Sequence, residues 1–178
     1  MTFLSGAPWQ GNILLDGWRS GGDGDAPVIE PATGSELGRT GRASIADVAK
    51  ASEIATDAQR EWAALPFNQR AAILRRAGQL FTDNEAELSE WIVRESGGIG
   101  PKAGLEVHIA AEECFEAASL ASHPTGEILR SEQPRLSFSR RVPAGVVGVI
   151  APFNFPLILS IRSVAPALAL GNAVILKP

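Results

Sequence analysis

"GVVGVIAPFNFPLILSIRSVAPALALGNAVILKP", residues 145–178, is the stretch on which the fold turns. It opens with "GVVGVI", an apolar run of strand length without a polar side chain, which suits a parallel strand buried on both faces. "APFNFP" follows, with Asn154 set between Pro152 and Pro156 in a turn. Residues 157–170 then carry helical spacing, with Pro166 expected to kink the helix. Gly171 stops it, and "NAVILK" reads as a second buried strand. Strand, helix and strand make one βαβ unit, whose crossover should be right-handed. Two parallel strands cannot cover their own faces, so the sheet is expected to continue in residues outside this chain. The fold class is therefore α/β.

The same region invites a membrane reading. Residues 142–161 contain no charged side chain, and that is the length of a spanning helix. Pro143, Pro152 and Pro156 argue against it, because each breaks the helix that would have to span. The whole chain has 178 residues, 45% hydrophobic and 20% charged, a balance that suits a globular core in water. Its formal net charge of -4 gives no reason to expect a nucleic-acid partner. The pairs Arg75-Arg76 and Arg140-Arg141 read as solvated surface. A single cysteine, Cys114, excludes an internal disulfide and fits a reducing compartment. The first residues lack a basic segment and a long apolar run, so no secretory signal is expected. A cytoplasmic location follows as an expectation.

Upstream, "NILLDGWR" and "APVIEPATG" read as short strands around the loop "SGGDGD", which lacks the Gly-Lys-Ser/Thr ending of a phosphate loop. Four helices are predicted next. In the first, Val48, Ala51, Ala55, Ala58 and Trp62 form one stripe, and Ser44 and Asp47 have capping-box spacing. The second covers residues 68–81, with Ile73, Leu74, Ala77, Leu80 and Phe81 facing inward. The third starts near Asn84 and ends at Gly97, and the fourth covers residues 102–121. "RLSFSRRV", residues 135–142, alternates as a partly exposed strand.

Chemistry is carried by few residues. Asn154 lies at the C-terminal edge of a parallel strand, where ligands bind in open α/β sheets; on residue type alone the plainer reading is that it fastens its turn by bonding local backbone. Cys114 sits in "AEECFEA", whose glutamates disfavour a thiolate, so it reads as structural. His108 and His123 are isolated, and one cysteine leaves no metal-ligand set.

Two motifs together, "GVIAPFNFP" and "PALALGNAVILKP", resemble the aldehyde dehydrogenase superfamily. "ESGGIGPKA" and "DGWRSGGDGDAPVIEPATG" look most like its benzaldehyde-type members. The resemblance covers nearly all of this chain but only the first part of a typical member. The family's Glu-Leu-Gly-Gly stretch with its general base, and its Gly-Gln-x-Cys stretch with its nucleophile, are not found, so the chain looks like an N-terminal fragment and should be inactive alone. The division implied is residues 1–134 as N-terminal strands and helical region, 135–142 as an oligomerisation strand, and 143–178 as the start of a doubly wound dinucleotide-binding sheet.

The resemblance implies NAD(P)-dependent oxidation of an aldehyde, aromatic in the benzaldehyde-type members, to a carboxylic acid. Asn154 would donate its amide to the aldehyde oxygen as that becomes an oxyanion. Ile150, Ala151, Pro152 and Phe153 would lie along NAD or NADP. Lys177 would bond the adenosine ribose. Phe155, Ile158, Leu159 and Arg162, linked by spacings of three and four, would face the aldehyde. A homo-oligomer is implied as the full enzyme. The rival expectation is a non-catalytic module, derived from a dehydrogenase, that binds a nucleotide or a partner chain.

Overall fold

The computed structural model describes residues 8–178. The expectation about a secretory signal falls partly on residues 1–7, which lie outside the described residues. Two antiparallel hairpins come first: β1 (Asn12–Leu14) with β2 (Trp18–Ser20), and β3 (Asp25–Ile29) with β4 (Glu36–Gly41). "NILLDGWR" is thus a hairpin and not one strand, because Asp16-Gly17 supplies its turn. Trp9 stacks edge-on against Trp91, with ring centroids 5.9 Å apart, and Arg94 pairs with Glu30 at 3.1 Å. Those contacts fasten the hairpins to the helices.

The helices are α1 (Ile45–Ala64), α2 (Phe67–Asp83), α3 (Glu85–Ser96) and α4 (Gly100–Leu120). The Ser44–Asp47 capping box forms as the spacing predicts. The Asp47 carboxylate also accepts the Gly22 N–H at 2.8 Å, tying the glycine-rich loop to α1. Backbone N–H groups of Ser44 and Gly22, with the Ser44 hydroxyl, hold the Asp47 carboxyl below its ordinary range. α3 ends at Gly97 in the left-handed conformation, with φ 70°.

Helix α4 is the centre. Ala103, Val107, Ala110, Ala111, Cys114 and Ala118 form its buried stripe, and their small side chains let α2, α3 and α5 (Pro156–Ala169) approach closely. One core cluster joins Ala71 and Leu74 of α2 to Cys114 and Ala117 of α4 and to Ala165 and Ala169 of α5. A second joins Ile92 of α3 to Ala103 and Val107. Two helical expectations need correction. Ile73 is exposed, because the inward face of α2 runs through Ala71, Leu74 and Gly78. Val48 and Ala58 are also exposed; α1 reaches the end of α5 and the turn before β8 through Trp62 and Gln59, and buries no residue fully.

The chain finishes with a hairpin of β5 (Gly126–Leu129) and β6 (Ser137–Arg140), then the βαβ unit β7 (Val146–Ile150), α5 and β8 (Ala173–Lys177). β5 was not anticipated, and the strand expected over residues 135–142 is shorter. β7 and β8 pair in parallel, with Val146 opposite Ala173 and Ile150 opposite Lys177. Both α1 and α5 pack against this pair. The expectation that "GVVGVI" is buried on both faces is met only at Val149; Gly148 and Ile150 are open. A two-stranded sheet has too few neighbours to cover them.

The turn from α5 to β8 is heavily bonded. Gly171 has φ +88°, and a Cβ there would meet Pro143 at 3.0 Å, so both backbone and space demand glycine. The last carbonyls of α5 lack partners within the helix. Trp62 donates to Leu168 O at 2.8 Å, Gln59 to Gly171 O at 2.9 Å and Arg70 to Ala169 O at 3.2 Å. Asn172 is buried, accepts the Gly145 N–H and donates to Ala167 O, each at 3.0 Å. It clamps the residue before β7 to the end of α5.

Candidate active site

The turn between β7 and α5 carries Asn154. Its side chain is exposed and, among the described residues, makes no hydrogen bond. An asparagine that fastened its turn would show a bond to local backbone. Phe155 is the N-cap of α5 and offers no capping side chain; Pro156 follows, where a missing N–H costs nothing. The amide is thus an unspent donor at the C-terminal edge of a parallel strand, beside the N-terminus of a helix.

The loop is supported from α4 by residues that the motif reading did not single out. Glu106 is completely buried. One of its oxygens accepts the Leu157 N–H at 3.1 Å, and the other pairs with Lys102 Nζ. That ammonium lies 4.5 Å from the centre of the Phe155 ring, within cation–π range. A signal was present in the sequence. Glu106 falls at spacings of three and four from Ala103 and Ala110, a charge on an otherwise apolar stripe.

Residues expected to touch a cofactor gather at the strand ends. Ile150 and Lys177 are register partners, and the Ala151 N–H donates to Lys177 O at 3.0 Å. Ile150 is 80% and Phe153 90% exposed, and Pro152 is open as well. Ala151 is buried beneath them. Lys177 is exposed, its ammonium bonded to Pro178 O at 2.8 Å. The result is an open apolar shelf with a cation at one end.

The four residues expected to face an aldehyde do not form one free face. Ile158 is buried, while Phe155 and Leu159 are half-buried. Arg162 is exposed but turned toward α4, where its Nε donates to Glu113 at 2.7 Å.

Cys114 is buried in the core, and burial, with Glu113 beside it, pushes its thiol up to about 11. In the native protein it should resist a thiol reagent at neutral pH and react only after denaturation, as mapped on the peptide that carries it. Rapid native labelling would contradict its structural role. His108 and His123 are both exposed, and among the described residues no group of three His, Cys, Asp or Glu side chains could hold a metal ion.

A family model described as "Aldehyde dehydrogenase family" matches residues 18–178. The chain belongs to the aldehyde dehydrogenase family. Among relatives, the vanillin dehydrogenase of an Amycolatopsis species is 63% identical over 178 residues, covering 100% of this chain and 37% of that protein. Benzaldehyde dehydrogenase [NAD(+)] of Pseudomonas putida is 52% identical, covering 96% of this chain and 35% of that one. An NAD-dependent benzaldehyde dehydrogenase from Corynebacterium glutamicum, solved by crystallography, superposes with a TM-score of 0.92 at 44% identity, over 99% of this chain and 39% of its own. The chain thus spans little more than a third of the length of these aldehyde dehydrogenases, and the α/β architecture is the family's.

Proposed function

We propose that this chain works as part of a longer aldehyde dehydrogenase that oxidises an aromatic aldehyde to the carboxylic acid with NAD(P). The carrying observation is Asn154: an exposed amide at the end of a parallel strand, next to an open shelf, that makes no hydrogen bond among the described residues. Vanillin and benzaldehyde dehydrogenases among the relatives support the aromatic substrate. In this reading the rest of the enzyme supplies the nucleophilic cysteine and the general base.

The residues present fit a dinucleotide. Ile150 and Phe153 offer exposed apolar surface, and Lys177 offers an ammonium beside it. A hydrogen bond from such a cation is worth about 1.5–3 kcal/mol. The dinucleotide, when bound, supplies the hydride acceptor. We favour NAD over NADP because the Pseudomonas putida and Corynebacterium glutamicum benzaldehyde dehydrogenases carry NAD in their names. This chain's task in the chemistry falls to Asn154. Thiolate attack on the carbonyl carbon moves an electron pair onto its oxygen, and a donor already in place stabilises that oxyanion without reorganising. Phe155 and Leu159, next in the chain, would border the aldehyde. The purified complete enzyme should reduce NAD with benzaldehyde far faster than with acetaldehyde; equal rates for both would remove the aromatic assignment.

Assembly belongs to the hairpin of β5 and β6. Ile128 and Phe138 are cross-strand partners, 82% and 63% exposed. A paired, apolar, open hairpin is a natural place for another subunit's strand or face to dock. Phe138→Asp should shift the complete enzyme to smaller species in light scattering, and an unchanged mass would count against this surface. Among the described residues no helix is long and apolar enough to cross a membrane; a cytoplasmic location is our reading, supported by the unpaired Cys114 of this chain.

A further inference from the structure

Among the described residues the Asn154 side chain has no hydrogen bond to hold it, so the position of its amide depends on the backbone that follows. That segment is held at two points by one pair of side chains, once through backbone and once through the Phe155 ring. Glu106 takes the Leu157 N–H in the first turn of α5, and Lys102, paired to the same carboxylate, covers the Phe155 ring. Phe155 and Leu157 lie one and three residues beyond Asn154. A Ser or Asp at the N-cap would serve the helix end locally, yet that position is Phe155. The chain instead commits a completely buried carboxylate from another helix. Burying an ion pair is a poor route to stability for its own sake.

We propose that Glu106 and Lys102 are positioning residues for Asn154. They fix the start of α5 so that the amide stays where the aldehyde oxygen arrives. The inference rests on the oxyanion reading above. A misplacement of about 1 Å costs roughly a hundredfold in rate, so a loosened loop should show in turnover before it shows in binding.

The test is a double-mutant cycle in the complete enzyme, with benzaldehyde and NAD as reactants. Glu106→Gln keeps the size and one acceptor oxygen but loses the charge that binds Lys102. It should lower kcat by about tenfold to a hundredfold, leave NAD affinity unchanged, and add nothing further in the Asn154→Ala background, because the two groups act through one contact. Lys102→Arg, which keeps the cation, should retain most of the rate. If Glu106→Gln does not give folded enzyme, Lys102→Met carries the same cycle. Near-normal kcat in Glu106→Gln, or a full additional loss on top of Asn154→Ala, overturns the proposal while leaving the oxyanion reading intact. A normal kcat in Asn154→Ala alone removes that reading, and this one with it.

Discussion

Asn154→Ala in the complete enzyme should lower kcat by about a hundred- to thousandfold, the equivalent of roughly 2.7–4 kcal/mol. The amide is expected to bond an oxygen that carries full charge only in the transition state, so its loss falls on the chemical step. NAD affinity should hardly change, since the shelf proposed for the dinucleotide, Ile150, Phe153 and Lys177, does not include it. Thermal stability should also hold. The side chain is exposed and bonds nothing among the described residues, so its removal takes no hydrogen bond from the fold.

The second asparagine of the motif pair should behave in the opposite way. Asn172→Ala removes two side-chain bonds at once: the Gly145 N–H loses its partner, while the Ala167 carbonyl keeps only the backbone N–H of residue 172, at 3.0 Å. A donor orphaned in this way costs about 1–3 kcal/mol. The melting temperature of the protein should fall clearly, while kcat of the enzyme that remains folded stays near normal, since Asn172 sits at the opposite end of α5 from the Asn154 turn. A lowered kcat with unchanged melting would reverse the two roles. Two residues of the same type, 18 positions apart, are separated by burial and bonding alone.

How much of this the sequence carried depends on distance along the chain. The capping box at Ser44, the glycine stop at Gly97 and the βαβ unit are local or periodic, and each could be read from neighbours. The helix faces were less legible. Ile73 looks like core by type, but Gly78, with no side chain to signal burial, sets the true contact line of α2. The pair β5–β6 was half missed because Gly126–Leu129 has too few residues to show alternation. At the site, Asn154 and Lys177 stand out through their motifs, whereas Glu106 lies 48 positions before Asn154 and joins the turn only once α4 and α5 pack. The face expected from Phe155, Ile158, Leu159 and Arg162 rested on spacing. Spacing cannot say that Ile158 would be covered and Arg162 drawn to Glu113.

The most direct measurement on the central claim is the single-turnover rate of Asn154→Asp in the complete enzyme at saturating NAD. A carboxylate has nearly the shape of the amide and favours the same turn, but it places negative charge where the oxyanion forms. The account expects a rate at least as low as that of Asn154→Ala, with melting temperature and NAD affinity close to those of the wild type. A near-wild-type rate for Asn154→Asp would contradict it.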